Sequence, residues 1–427
     1  MPYNRIERRV AALLDSFPAA RRFAKAGYQR LNYLLQGQSD RKLRLHAGAV
    51  LQRLPGLDHR QECFFGYFGE CPWSRDGNFF LFHQWDQRRD AVDICMYDYR
   101  AAASRVLARS AAWNFQQGSM AQWLHADDGV ESVIFNDGID RTLGCRIVSL
   151  NGRERHLAWP IQAVHPEGRV ALSLNYKRLA LVQPEYGYGA DVSNFTADQP
   201  PDRDGIWRLD LRAGGAELIV SLVDLLKVDT RREMREAAHS VNHAVYSPSG
   251  DRFVFMHRWL GPPGMFSRLY CAEADGSGLR LLLDHRMVSH YAWRDDRTLL
   301  AWARTPEGGD RYYLLDVSTG DREVCCAEAL DRFGDGHPSF SPDGQWIVTD
   351  TYPDRARMRR LLLCRPRTRQ MIEVGAFHSP WRYEGARRCD LHPRWNANGR
   401  VISIDSAHEG IRSTYTVDVS RIVSDAR

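Results

Sequence analysis

Two hydrophobic patterns divide the chain. Over residues 4–36 the apolar positions Ile6, Val10, Leu13, Leu14 and Phe17, then Phe23, Tyr28, Leu31, Leu34 and Leu35, recur at helical spacing. Arg and Lys fill the opposite face, and Pro18 divides the stretch into two helices. Residues 1–42 are therefore predicted to form a basic amphipathic segment that caps the main domain, with a weak membrane-surface contact as the alternative. From about residue 60 the pattern changes to short β-rich runs separated by turn residues.

One turn recurs. Ser74-Arg75-Asp76-Gly77, Ser247-Pro248-Ser249-Gly250, Ser341-Pro342-Asp343-Gly344 and Asn396-Ala397-Asn398-Gly399 each precede a strand, as does Arg294-Asp295-Asp296-Arg297. Pro fixes φ and Gly supplies a positive φ, so each is a tight connection between two strands. Further strands follow, giving about four per unit and a period of 40–55 residues, the signature of a β-propeller. The predicted fold is all-β, a seven-bladed propeller over 43–421 with a short tail at 422–427. Its units are 60–105, 106–151, 155–215, 216–285, 286–329, 330–379 and 380–421. The seventh lacks an outer strand, which residues 44–54 could supply; closure would remove free sheet edges.

Counting seven residues back from the turn glycine gives His243, His337 and His392 in three units, and the same count from Arg297 gives His290. The other units give Glu70, Gln122 and Ile161. Inner strands of a propeller line its channel, so these positions are expected to begin the inner strands and to form a ring at one mouth. Packing alone would favour Val or Ile over four imidazoles in one register.

The second strands return to that face and carry His83, Trp85, His257, Arg258, Trp259, Asp350, Tyr352 and Asp405; Arg355, His408 and Glu409 follow in the adjoining loops. Arg258 can grip a carboxylate bidentately. Arg394, two residues beyond His392, shares its side of the strand.

The S-P-D-G turns resemble the PD40 repeats of TolB-type propellers, and the histidine-rich inner positions resemble the seven-bladed oligogalacturonate lyase group. That resemblance implies a lyase reaction on an acidic, uronate-containing oligo- or polysaccharide. A metal and an arginine neutralise the carboxylate, a base removes the adjacent proton, and the glycosidic oxygen leaves by β-elimination. In this chain it implies a divalent metal, Mn²⁺ or Zn²⁺, on His290, His337, His392 and Gln122. His243, Arg258, Tyr352 and Arg394 would be catalytic. Glu70, Trp85, His257, Trp259, Asp350, Arg355, Asp405 and His408 would contact substrate. The chain departs from the group in having no Q-x-x-H-x-H stretch; Gly334-Asp335-Gly336-His337-Pro338 holds one histidine. A glycoside hydrolase using Glu70, Asp350, Asp405 or Glu409, or a non-catalytic saccharide- or protein-binding propeller, are the alternatives.

Composition adds limits. Lys and Arg number 58 against 53 Asp and Glu, a net +5 that gives no basic stripe for nucleic acid. No apolar run reaches the length of a membrane span. Nine scattered cysteines without C-x-x-C read as reduced cytoplasmic thiols.

Overall fold

In a computed structural model the described residues are 42–57, 60–125, 130–139, 142–188, 198, 200–261 and 264–424. The predicted N-terminal helices and the end of the tail, 425–427, lie outside them. Seven antiparallel sheets succeed one another along the chain as blades of a propeller. Each winds from an inner to an outer strand, over 62–110, 122–157, 163–221, 238–283, 288–324, 339–378 and 394–418.

The repeated turns have the chemistry read from the sequence. Gly77, Gly250, Gly344 and Gly399 have φ of 73°, 86°, 67° and 67°, and in each the glycine N–H donates to the carbonyl three residues back. Ser74 and Ser341 brace their turns by donating to Asp76 and Asp343. The apolar faces of neighbouring blades pack on each other, as where Val254, Met256 and Leu269 of blade 4 meet Leu299, Ala301 and Tyr313 of blade 5.

Three boundaries differ from the repeat count, one being Glu154–Leu157, which pairs with Thr142–Ser149 as the outer strand of blade 2 and does not start blade 3. Ala103–Ser110 pairs with Val92–Asp98 and is the outer strand of blade 1, not the start of blade 2. Ala216–Ser221 pairs with Gly205–Asp210 and closes blade 3, not the start of blade 4. Outer strands carry no turn signature and Ala103–Ser110 is largely exposed, so neither pattern ties them to the strand they join.

Val50–Arg53 pairs antiparallel with Ser413–Asp418 and is the outer strand of blade 7. Arg44–Leu45 adds a fifth strand to blade 6 through Gln370–His378. Chain from before blade 1 thus holds the last two blades.

Cys326, in the segment after blade 5, and Cys364, on blade 6, are placed as a close sulfur pair, and the other seven cysteines are free. Sequence spacing could not pair them, because 38 residues and a blade boundary separate them. Among the described residues no helix is long and apolar enough to cross a membrane.

Candidate functional site

The four histidines meet, but not by one backbone device. His243 and His290 lie inside their inner strands, Ala238–Tyr246 and Val288–Trp293. In both, the register with the second strand shifts at the histidine, between Asn242 and Val245 and between Val288 and Tyr291. Such bulges re-aim a side chain. In blades 6 and 7 the inner strands are only Ser339–Phe340 and Arg394–Trp395, and His337 and His392 stand two residues before them. The expected position at the start of every inner strand is thus found in two blades and replaced by a bulge in two others. His243 and His392 take left-handed backbone, φ 53° and 43°, which costs a non-glycine residue energy and recurs at functional sites.

Three of the rings form a continuous arc, and His243 joins it through Tyr67, which contacts both His243 and His392. Centroids of His290 and His337 are 4.3 Å apart, as are those of His337 and His392. All four histidines are at most 4% exposed. Tyr67 and Phe68, on the loop after the inner strand Glu62–Phe64, fill the space the arc surrounds. Tyr67 stacks on His243 at 4.6 Å, and its hydroxyl is 3.4 Å from Nε2 of that ring. Phe68 sets its ring against His290, His337 and His392. From the sequence, Gly66-Tyr67-Phe68-Gly69 is expected to shape the mouth but not to touch the histidines.

Hydrogen bonds fix the tautomers. Nδ1 of His392 donates to the Gly66 carbonyl at 2.7 Å; a carbonyl only accepts, so Nδ1 carries the hydrogen and Nε2 the lone pair. Nδ1 of His337 is 2.7 Å from Asp350, which sets the same tautomer. Both Nε2 atoms are buried without a hydrogen-bond partner. Asp390 completes a group: one ligand atom from each of His337, Asp390 and His392 lies within 4.8 Å of the others. Burial opposes ionisation of Asp390, but Arg359 and Arg388, each 2.6 Å away, hold its carboxyl well below the usual range. Burial, joined by His337, holds His392 well below 6.5 and thus neutral. Burial, aided by Arg258, does the same for His243. Asp335 accepts from Nδ1 of His290 at 3.0 Å.

Two buried imidazole Nε2 atoms without a hydrogen-bond partner, beside an ionised carboxylate, are the donor set a borderline divalent cation takes. Of the four expected ligands, His290 and Gln122 are not in this group. Gln122 spends its amide on backbone, accepting from Val164 N–H and donating to the carbonyls of Met120 and Gln162. Asp390 and Asp335 are the residues the sequence reading missed. Their signal was D-x-H-P, present as Asp335-Gly336-His337-Pro338 and Asp390-Leu391-His392-Pro393.

Other predicted residues take different places. Asp350 accepts from the backbone N–H of His337, Leu391 and His392. Asp405 accepts from those of Phe65 and Gly66. Each thus ties a second strand to the inner segments of its own or the next blade, and both are buried. Arg394, also buried, donates to the carbonyls of Tyr67 and Gly66 and pairs with Asp405, so it holds the Tyr67–Phe68 loop. His257 and Trp259 have no exposed surface; His257 is hydrogen-bonded to His239 at 3.0 Å and Trp259 stacks on Phe266. All five are buried and make framework contacts, because strand ends at a crowded mouth are covered by the neighbouring loops.

Trp85 packs on Trp113 and Phe115 under the Arg387 guanidinium. Tyr352 is 40% exposed with its ring 5.8 Å from His337. Arg355 is exposed on the loop that follows. His408 is half-buried against Tyr415, and burial takes its imidazole down to about 4. Glu70 faces a cavity on the other side of Phe68.

No protein-family model and no curated protein matches the chain. Among solved structures it is similar to an oligogalacturonate lyase from Vibrio parahaemolyticus, with a TM-score of 0.60 and 14% identity over 89% of this chain and 97% of that one. An oligogalacturonate lyase in complex with manganese matches at 0.61 and 18% identity, over 90% and 97%. TolB from Acinetobacter baumannii matches at 0.39 and 13%, over 80% of each chain. At these identities the likeness to the lyases is one of fold.

Proposed function

We propose that the protein is a metal-assisted lyase acting on an acidic, uronate-containing oligo- or polysaccharide at the histidine arc. The observation that carries the reading is the pair of stranded Nε2 atoms on His337 and His392 beside Asp390. The lyase likeness of the fold agrees with it, and one of those lyases is described as a manganese complex.

His337, His392 and Asp390 would hold Mn²⁺ or Zn²⁺. When bound, the ion supplies a positive charge that stabilises the carboxylate of a uronate as negative charge builds up on it. Arg258, half-buried beside His243, adds a second positive group for the same carboxylate. His243, kept neutral, accepts the proton from the carbon next to the carboxylate. The electrons of that C–H bond form the double bond as the C4–oxygen bond breaks, and the leaving oxygen takes a proton. Tyr352, exposed at the edge of the arc, lies where a sugar hydroxyl can meet it.

Two measurements test this. Purified protein should contain about one divalent ion per chain, and His337→Ala and His392→Ala should each lower that content at least tenfold. Uronate oligosaccharides should gain the ultraviolet absorbance of an unsaturated product, and His243→Ala should abolish it. Metal content indifferent to both ligand substitutions would refute the metal centre; new reducing ends without that absorbance would make the enzyme a hydrolase.

A further inference from the structure

On the far side of Phe68 from the histidines, a second cavity of about 510 Å³ opens among the repeated turns. Phe68, Trp73, Trp123, Phe340 and Trp395 line it with Glu70, and none of the four arc histidines does. Its volume lies within the range of small-molecule sites.

Glu70 is the chemical oddity of this cavity. Its carboxyl makes no hydrogen bond or ion pair with a described residue. The charged and titratable groups around it are otherwise accounted for. The Arg394 charge is cancelled by Asp405 at 3.2 Å. Arg75 is exposed at the rim. Burial and Arg75 lower His125 and keep it neutral. The neighbouring Cys71 stays a neutral thiol and the buried Tyr176 a neutral phenol. His165 sets its ring edge-on to Tyr246. One unpaired carboxyl among five aromatic side chains is the composition of an ammonium site, where the ring quadrupoles and the carboxylate act on the same charge.

We propose that this turn-face cavity binds a small organic cation, with its ammonium group set against Glu70 and its carbon body against the aromatic side chains. The site is independent of the metal centre and of the lyase reading.

Choline is a suitable probe, because its charge does not titrate, with its uncharged carbon isostere 3,3-dimethylbutanol as control. Calorimetry on the full chain should show choline binding and at least tenfold weaker binding of the isostere. Glu70→Gln should weaken choline at least tenfold, while His337→Ala leaves it unchanged. Burial alone takes the empty Glu70 carboxyl up to about 8. The ionised fraction below that pH falls tenfold per unit, so the choline affinity should fall about tenfold from pH 7 to pH 6, with one proton released per choline bound. The comparison of choline with its isostere needs no substitution and decides the matter if Glu70→Gln does not fold. Equal binding of the isostere, unchanged choline binding in Glu70→Gln, or no binding at millimolar choline would each overturn the proposal.

Discussion

At the residue scale, the carboxylates at the strand ends act through backbone amides. Asp405 accepts from Phe65 and Gly66 N–H, from the Thr414 hydroxyl, and pairs with buried Arg394. Removing it strands a buried guanidinium as well as two amides. Asp405→Ala should therefore lower the unfolding free energy by roughly 3–5 kcal/mol, read as a shift of the urea midpoint. Asp405→Asn, which keeps an acceptor, should cost less. The sequence placed Asp350 and Asp405 at the ends of their strands but did not show their backbone contacts, because alternation says which way a side chain points and not which amide it meets. Counting back from the turn glycine found the four histidines, since register carries through a blade. It could not find Asp390 or Asp335, which sit just before the strands begin.

At the element scale, the outer strand of blade 7 comes from residues before blade 1. Leu51 pairs with Val417 and packs among Ile404, Tyr415 and Val417. A chain shortened to begin after Arg53 would leave Ser413–Asp418 as an open edge. It should lose several kcal/mol of stability and become prone to association, which urea titration and light scattering at matched concentration would reveal. This element was legible because the seventh unit came one strand short. The blade limits at 103–110 and 216–221 were less so, because an outer strand is recognised by its partner and not by its own pattern.

At the scale of the whole molecule, the propeller buries imidazoles in their neutral form. His83 is the clearest: Nδ1 donates to the Phe65 carbonyl and Nε2 accepts from Ser119 N–H. Burial takes its imidazole down to about 4. Unfolded, the same ring titrates near 6.5. Above that pH both states are neutral and the full stability is present. As pH falls from 6.5 toward 4 only the unfolded chain gains the proton, and stability is lost at about 1.4 kcal/mol per unit. His83 alone should remove about 2 kcal/mol by pH 5. His239 and His257, lowered by burial in the same direction, add to the slope. Compared with the parent chain, His83→Gln should lose about 1.4 kcal/mol less per unit as pH falls from 6.5 toward 4, read from urea midpoints of the two proteins side by side.

The loop that carries Tyr67 and Phe68 has one more effect. It is pinned by Arg394 and by the Gly66 carbonyl at His392, and Gly66 at φ 124° lies so close to Gln117 that a side chain there would overlap its backbone. Tyr67 and Phe68 are therefore held against the four histidines by backbone as well as by side chains. A ligand chain could pass between the two cavities that Phe68 borders only by displacing this loop. Whatever reaches the histidines must come and go without crossing it.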